Sequence, residues 1–291
     1  MIITSGTINI NSVDDGIRGK DYLIVKDGSI TVEAAGVGIK SDNEDDTSKG
    51  YITIEKGEIN ITAGGEAIEA EKDVEIVLGE IVLSSGGKGI NGTIGVFIDD
   101  GNFTISSVDD AIHSNGFITI NDGSFVISSD DDAIHADYDL VINDGDINIT
   151  NSYEGIESAE GDITINGGEI HIVSSDDGIN SAANGNNYIY INGGYIVIDA
   201  EADCFDSNGS MEISGGTVFV SSSGVRGGTI VDCDSYTLDG GFMVGLSASS
   251  RHTAYPNTSS DQYSLVIDFS SSQQAGTLIH IQDSDGVDIL T

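Results

Sequence analysis

The chain has 291 residues, with 49 acidic side chains against 10 basic ones and a formal net charge of −39. That balance excludes binding to a nucleic-acid phosphate backbone, which needs basic patches, and it disfavours an anionic membrane surface. No apolar run reaches about 18 residues, so no membrane-spanning helix and no membrane insertion are expected.

Glycine is frequent at 39 residues and proline occurs once. This suits many tight turns between hydrogen-bonded strands. Isoleucine and valine, which favour strands, carry much of the apolar content. The opening M-I-I-T-S-G-T-I enters a repeat almost at once. It reads as a mature fragment with an added Met; the expected location, extracellular or cell-surface with the signal sequence outside this chain, has to be inferred from the rest of the sequence.

One pattern, I-x-I-x-x-G-x-I-x-I, recurs at 23–32, 52–61, 74–83, 96–105, 118–127, 140–149, 163–172, 189–198 and 211–220. A second runs N-S-V-D-D-G-I-R-G at 11–19, S-S-V-D-D-A-I-H-S at 106–114, S-S-D-D-D-A-I-H-A at 128–136 and S-S-D-D-G-I-N-S at 174–181. The small residue inside it serves as a marker: Gly16, Gly38, Ala67, Gly89, Ala111, Ala133, Gly155, Gly178 and Cys204. Most steps are 22 residues; they lengthen to 29 before Ala67, 23 before Gly178 and 26 before Cys204. A fixed period of this size means a solenoid.

Within each repeat, apolar and polar residues alternate with a period of two, which is strand spacing. Leucine is too sparse for leucine-rich repeats. A coil of 22 is no multiple of six, and the nonapeptide G-G-x-G-x-D does not recur. The prediction is an all-β fold, a right-handed parallel β-helix (solenoid) of about eleven 22-residue coils with three sheets, over residues 1–245. Residues 246–291 are expected as C-terminal capping strands packed on the same helix, covering an edge that would otherwise aggregate. Insertions are expected at 41–50, 182–187 and around 199–202.

Stacking at about 4.8 Å turns repeated positions into columns. Asn121, Asn143, Asn166 and Asn192 form a structural amide ladder beside the turn. The residue before each marker gives an acidic column: Asp15, Val37, Glu66, Lys88, Asp110, Asp132, Glu154, Asp177 and Asp203. Asp14, Asp109, Asp131 and Asp176 precede it, and Asp206 follows two places after a marker. Neighbouring carboxylates at this spacing repel by about 1 kcal/mol in water and more at a surface. Cations or raised pKa values must relieve them. Hard oxygen donors in this number point to Ca2+, gluing coils together and bridging to an acidic ligand. His113 and His135 stack one coil apart and are expected to hydrogen-bond the acids. Lys88 reads as a salt bridge or, alternatively, as a general base beside calcium. Cys204 and Cys233 are expected as reduced, buried thiols.

The coils S-S-D-D-[AG]-I-[HN]-[SA] and I-N-[DG]-G-x-[IF]-x-I, from about 5 to 245, resemble the secreted carbohydrate-binding β-helix proteins of cellulolytic clostridia. The tail Y-S-L-V-I-D-F-S-S-S-Q-Q-A-G-T-L-I-H-I-Q-D-S-D-G is similar to their C-terminal segment. These are carbohydrate-binding domain-containing proteins, similar in shape to the family 9 polysaccharide lyases. The resemblance implies a non-catalytic, calcium-binding module for plant cell-wall polysaccharide, both cellulose and acidic sugars such as polygalacturonate. It also implies, as an alternative, a calcium-dependent polygalacturonate lyase with Lys88 as base. Tryptophan is absent, and Tyr190 and Tyr195 are the best outward aromatic pair for a sugar, with Phe97 and Tyr153 behind them. A monomer is expected.

Overall fold

The computed structural model describes every residue except 184, 186, 250, 252, 275 and 291. The described residues form strands, turns and bends without a helix. A coil from the middle of the chain shows the unit: a short strand Ile112–Ser114, a middle strand Phe117–Ile120 and a long strand Ser124–Ser129. Each pairs in parallel with its equivalent one coil away, as Ile112↔Ile134, Ile118↔Leu140 and Phe103↔Phe125. Three ladders result: short, middle and long. The long ladder runs through eleven strands, from Thr7–Ser12 to Phe242–Ser247. The predicted parallel solenoid, its period and its three strands per coil are therefore present.

Alternation explains why these segments are strands and which face they bury. Ile134, Ile142 and Ile127 are fully buried, as are their neighbours up and down each column. Phe103 stacks on Phe125 in the core with ring centroids 4.5 Å apart. Burying such a side chain contributes about 1.5–3 kcal/mol, so the tube of isoleucine columns is the main source of stability. The turn between middle and long strands requires glycine: Gly123 has φ of 125°. A Cβ there would lie 3.0 Å from the Gly101 carbonyl oxygen of the coil below.

The asparagine column is a directed hydrogen-bond chain. Asn143 Nδ2 donates to Asn121 Oδ1 (2.7 Å), Asn166 to Asn143 (2.8 Å) and Asn192 to Asn166 (2.9 Å). Asp99 accepts from Asn121 at one end, and the Ser214 hydroxyl donates to Asn192 at the other.

The insertions at 41–50 and 182–187 both fall between a short strand and the following middle strand. No insertion lies at 199–202: Asp199 and Ala200 stay in register with Val173 and Ser174. The extra residues of that region sit instead at 223–228, between the long strand Thr217–Ser222 and Thr229. The reason is that the long strand keeps its six-residue ladder, so added length is expelled to the corner after it.

After Ser247, residues 253–262 follow the last coil through single bonds, with Ala254 and Asn257 amides donating to Val231 and Tyr236 carbonyls. Farther on, Ile281–Gln282 pairs antiparallel with Asp288–Leu290. Cys204 is buried and Cys233 half-buried, and both are free thiols. Cys233 is less covered than expected because its strand, Val231–Leu238, is the last of its ladder, with no further strand paired beyond it among the described residues.

Candidate functional site

The acidic column stands at the entrance to the short ladder, and its first function is to hold backbone. Asp110 Oδ1 accepts the Asp132 N–H of the next coil (3.2 Å), and Asp132 Oδ1 accepts that of Glu154 (3.1 Å). Asp177 does the same for Asp203 (2.8 Å), Asp203 for Thr229 (2.6 Å) and Asp15 for Val37 (3.0 Å). Each carboxylate thus satisfies an amide that the short strand leaves unpaired. A charge-assisted bond of this kind contributes about 1.5–3 kcal/mol. Coils are joined here by carboxylate-to-amide bonds, and the second oxygen of each acid is what remains for a cation.

In the centre of the column the protein supplies its own cations. Lys88 Nζ lies 2.6 Å from Asp110 Oδ2 and 3.0 Å from Asp109 Oδ1. His113 Nδ1 lies 2.8 Å from the same Asp110 oxygen. His135 Nδ1 is 3.0 Å from Asp132 and 3.0 Å from Glu157. Burial alone would raise Asp110, but His113 and Lys88 hold it down at about 2. Burial alone would lower His135, yet Asp132 and Glu157 lift it to about 10, so it carries a charge at neutral pH. Burial raises Asp132, and hydrogen bonds from His135 and Asp132 draw Glu157 down, so the two acids share one proton beside the imidazolium. Glu154, just above, is pushed up to about 9 by burial and by Glu157, and Asn180 Nδ2 donates to both its oxygens (3.1 and 2.9 Å).

Two coils farther on the partners run out. Asp177, Asp203 and Asp206 place carboxylate oxygens within 4.8 Å of one another. Among the described residues no lysine, arginine or histidine pairs with any of the three. Arg226 reaches only Asp176 (3.6 Å) and lies over the Tyr153 ring (5.3 Å), and Arg251 pairs with Asp232. Burial is the main cause that lifts Asp177 to about 7 and Asp206 to about 6, with the neighbouring acids adding to it. Directly above Asp203 stands Thr229, 1% exposed, whose Oγ1 has no hydrogen-bond partner.

The donor chemistry separates the two regions. Calcium takes six to eight oxygen ligands. The Asp177–Asp203–Asp206 trio, with the orphaned Thr229 hydroxyl beside it, is an all-oxygen set with free lone pairs and fits such an ion. The groups containing His135 are mixed nitrogen and oxygen sets already closed by hydrogen bonds, and they do not fit calcium. Asp109, Asp110 and Asp131 form a further oxygen cluster, but Lys88 already pairs with Asp109 and Asp110.

The carbohydrate-binding domain-containing protein family matches the chain over residues 1–133, 76–186 and 126–263. The matches overlap and shift along the sequence, as a repeated coil requires. The chain belongs to this family. No curated protein and no solved structure matches it.

In this carbohydrate-binding family member the expected site residues are only partly brought together. Asp109, Asp110 and Asp131 converge, and so do Asp177, Asp203 and Asp206. Asp132 goes to His135, Glu154 to Asn180 and Asp176 to Arg226. Asp14 and Asp15 stand apart from all of these, because Val37, Glu66 and Lys88 occupy the intervening coils. Lys88 is a salt bridge. Burial favours its neutral form, but Asp110 and Asp109 raise its pKa above the ordinary value, the wrong direction for a general base.

Tyr190 and Tyr195 do not form a pair. Tyr190 belongs to the middle strand Tyr188–Ile191 and stacks on Tyr188 (5.0 Å). Tyr195 begins the long strand Tyr195–Ala200, on the other side of the glycine turn. Alternation told that both point outward but not that they face outward from different ladders. Phe97 and Tyr153 are also exposed on the surface. Sequence reasoning missed Thr229 and Phe219. The signal for Thr229 was a second step of 26 after Cys204, and for Phe219 its outward place between buried Val218 and Val220.

Proposed function

We propose that this chain is a non-catalytic, extracellular module that binds plant cell-wall polysaccharide and carries Ca2+ at the C-terminal end of its acidic column. The observation that carries this reading is the trio Asp177, Asp203 and Asp206: buried or half-buried acids without a basic partner, beside an unpaired Thr229 hydroxyl, in a member of a carbohydrate-binding family. A calcium ion there would take carboxylate oxygens from two adjacent coils and the hydroxyl of a third. It supplies positive charge on a protein of net charge −39, which an acidic sugar such as polygalacturonate otherwise avoids. Cellulose, being uncharged, meets no such barrier.

Co-sedimentation with polygalacturonate and with cellulose, each with calcium and with EGTA, tests the reading. Retention on both, with only the polygalacturonate fraction lost in EGTA, is the expected result. Failure to bind either polymer overturns it. Chelator-insensitive binding to polygalacturonate removes the bridging ion.

A further inference from the structure

The outer face of the long ladder changes character near its C-terminal end. One row of outward positions runs Glu58, Glu80, Asn102, Ser124, Asp146, Glu169 and then Tyr195, Thr217, Phe242. The next row runs Asn148, His171, Val197, Phe219, Val244. The first row, polar and acidic as far as Glu169, thus turns aromatic at Tyr195 and Phe242, and the second, which carries exposed Val82 and Val126 lower down, gains Phe219. Tyr195 and Phe242 remain 41% and 39% exposed.

The rings are arranged as a strip. Tyr195 and Phe219 centroids are 5.9 Å apart, and Phe219 and Phe242 6.1 Å. They zigzag from the first row to the second and back on a rigid parallel ladder whose strands repeat at about 4.8 Å, with ring planes inclined to one another by 57° and 69°. None of these side chains is needed inside the tube, which Val218 and Val220 already fill from the opposite face. Large rings held in water on a regular surface mark a contact site.

We infer that an uncharged polysaccharide chain docks on this face, with the C–H groups of its sugar rings packed against Tyr195, Phe219 and Phe242. The inference rests on the polysaccharide-binding reading above and says where the neutral polymer lies. Aromatic faces carry partial negative charge and attract the polarised C–H groups of a pyranose. Thr217 and Ser221, outward on the strand between, are placed for its hydroxyls. The charged side chains in register beside the strip include Glu169 and Asp199, both acids. A polyanion is repelled there and an uncharged chain is not. The strip lies on the outer face of the long ladder, whereas the candidate cation trio lies at the entrance to the short one, so docking on it is independent of calcium.

The test is affinity for insoluble cellulose in EGTA, measured by depletion from solution. Three proteins are compared: the unchanged chain, Tyr195→Ala with Phe219→Ala, and the control Phe117→Ala with Tyr138→Ala. The control removes a second exposed aromatic pair (5.8 Å apart), Phe117 at the start of a middle strand and Tyr138 in the bend before the next. The expected result is about a tenfold or greater loss for the first variant, none for the control, and unchanged melting for both. Equal loss in both variants, or wild-type affinity in the Tyr195 and Phe219 variant, overturns the inference. Calcium-dependent binding to polygalacturonate without binding to cellulose also overturns it while leaving the polysaccharide-binding reading intact. Absence of binding to both polymers overturns both. A dimer in sedimentation that becomes a monomer in the Tyr195 and Phe219 variant would assign the strip to a second copy instead.

Discussion

The centre of the acidic column, from Lys88 to Glu157, and its C-terminal end, from Asp177 to Thr229, share the same backbone and the same carboxylate-to-amide bonds between coils. They differ in what meets the second carboxylate oxygen. In the centre, Lys88, His113 and His135 occupy it, and Asp110 is held down at about 2. At the end, no base among the described residues pairs with the trio, and Asp177 rises to about 7. Identical rungs therefore do two jobs. Where a basic side chain occurs on a neighbouring rung, the column is a closed structural network; where none occurs, it is left able to accept an ion.

Removing the internal cation is the most forceful way to break this contrast. Lys88→Met leaves buried Asp110 with His113 and the more distant His135 (4.0 Å), and stripping one partner from a buried pair costs about 3–5 kcal/mol. The melting temperature should fall by the same amount with calcium or EDTA. A drop that calcium repairs would mean that the centre accepts ions too.

The pH dependence sharpens the contrast from both sides. Asp177 and Asp206 bind protons more tightly folded than unfolded, so their folded forms lose ground as pH rises from about 4 to about 7. In EDTA, stability should decline across that window by several kcal/mol, Asp132 and Glu154 of the centre adding a loss of the same sign, and calcium should remove only the part due to Asp177 and Asp206. Asp110, lowered to about 2, acts oppositely: its contribution is complete above about 4 and is lost as pH falls toward 2. His135, raised to about 10, contributes fully below about 6.5 and loses its contribution as pH rises toward 10. Melting curves from pH 3 to 9 in EDTA and in calcium separate these effects.

A smaller change isolates the end. Asp206→Asn removes one unpaired charge and keeps the shape, so the calcium-free protein should gain about 1–2 kcal/mol while its calcium-induced rise in melting temperature shrinks. An unaltered calcium response would exclude Asp206 as a ligand. Smallest of all, Asn143→Ala interrupts the exposed amide chain and should cost about 1 kcal/mol in chemical denaturation, with no calcium dependence.

Much of the fold was legible because one kind of information, spacing, determines it. Gly101, Gly123 and Gly145 mark the turns, and Ile112, Ile134 and Ile156 mark the column that fills the tube. The site was legible only as positions. The column of acids could be read, but whether Asp110 meets Lys88 from the coil below or Asp206 meets only other acids depends on the reach of side chains between rungs. Thr229 was hidden because four added residues at 223–228 displaced it from the period. Tyr190 and Tyr195 looked like a pair because alternation reports inside against outside, whereas the glycine turn between them sends the two strands to different ladders.

The most direct test of the account is a crystal structure of the protein grown with calcium, with an anomalous difference map to locate the ions. The account predicts a peak among Asp177, Asp203 and Asp206, at about 2.3–2.6 Å from their oxygens, and none between Lys88 and Glu157. A peak beside Asp110 or His135 with none at the trio would contradict it.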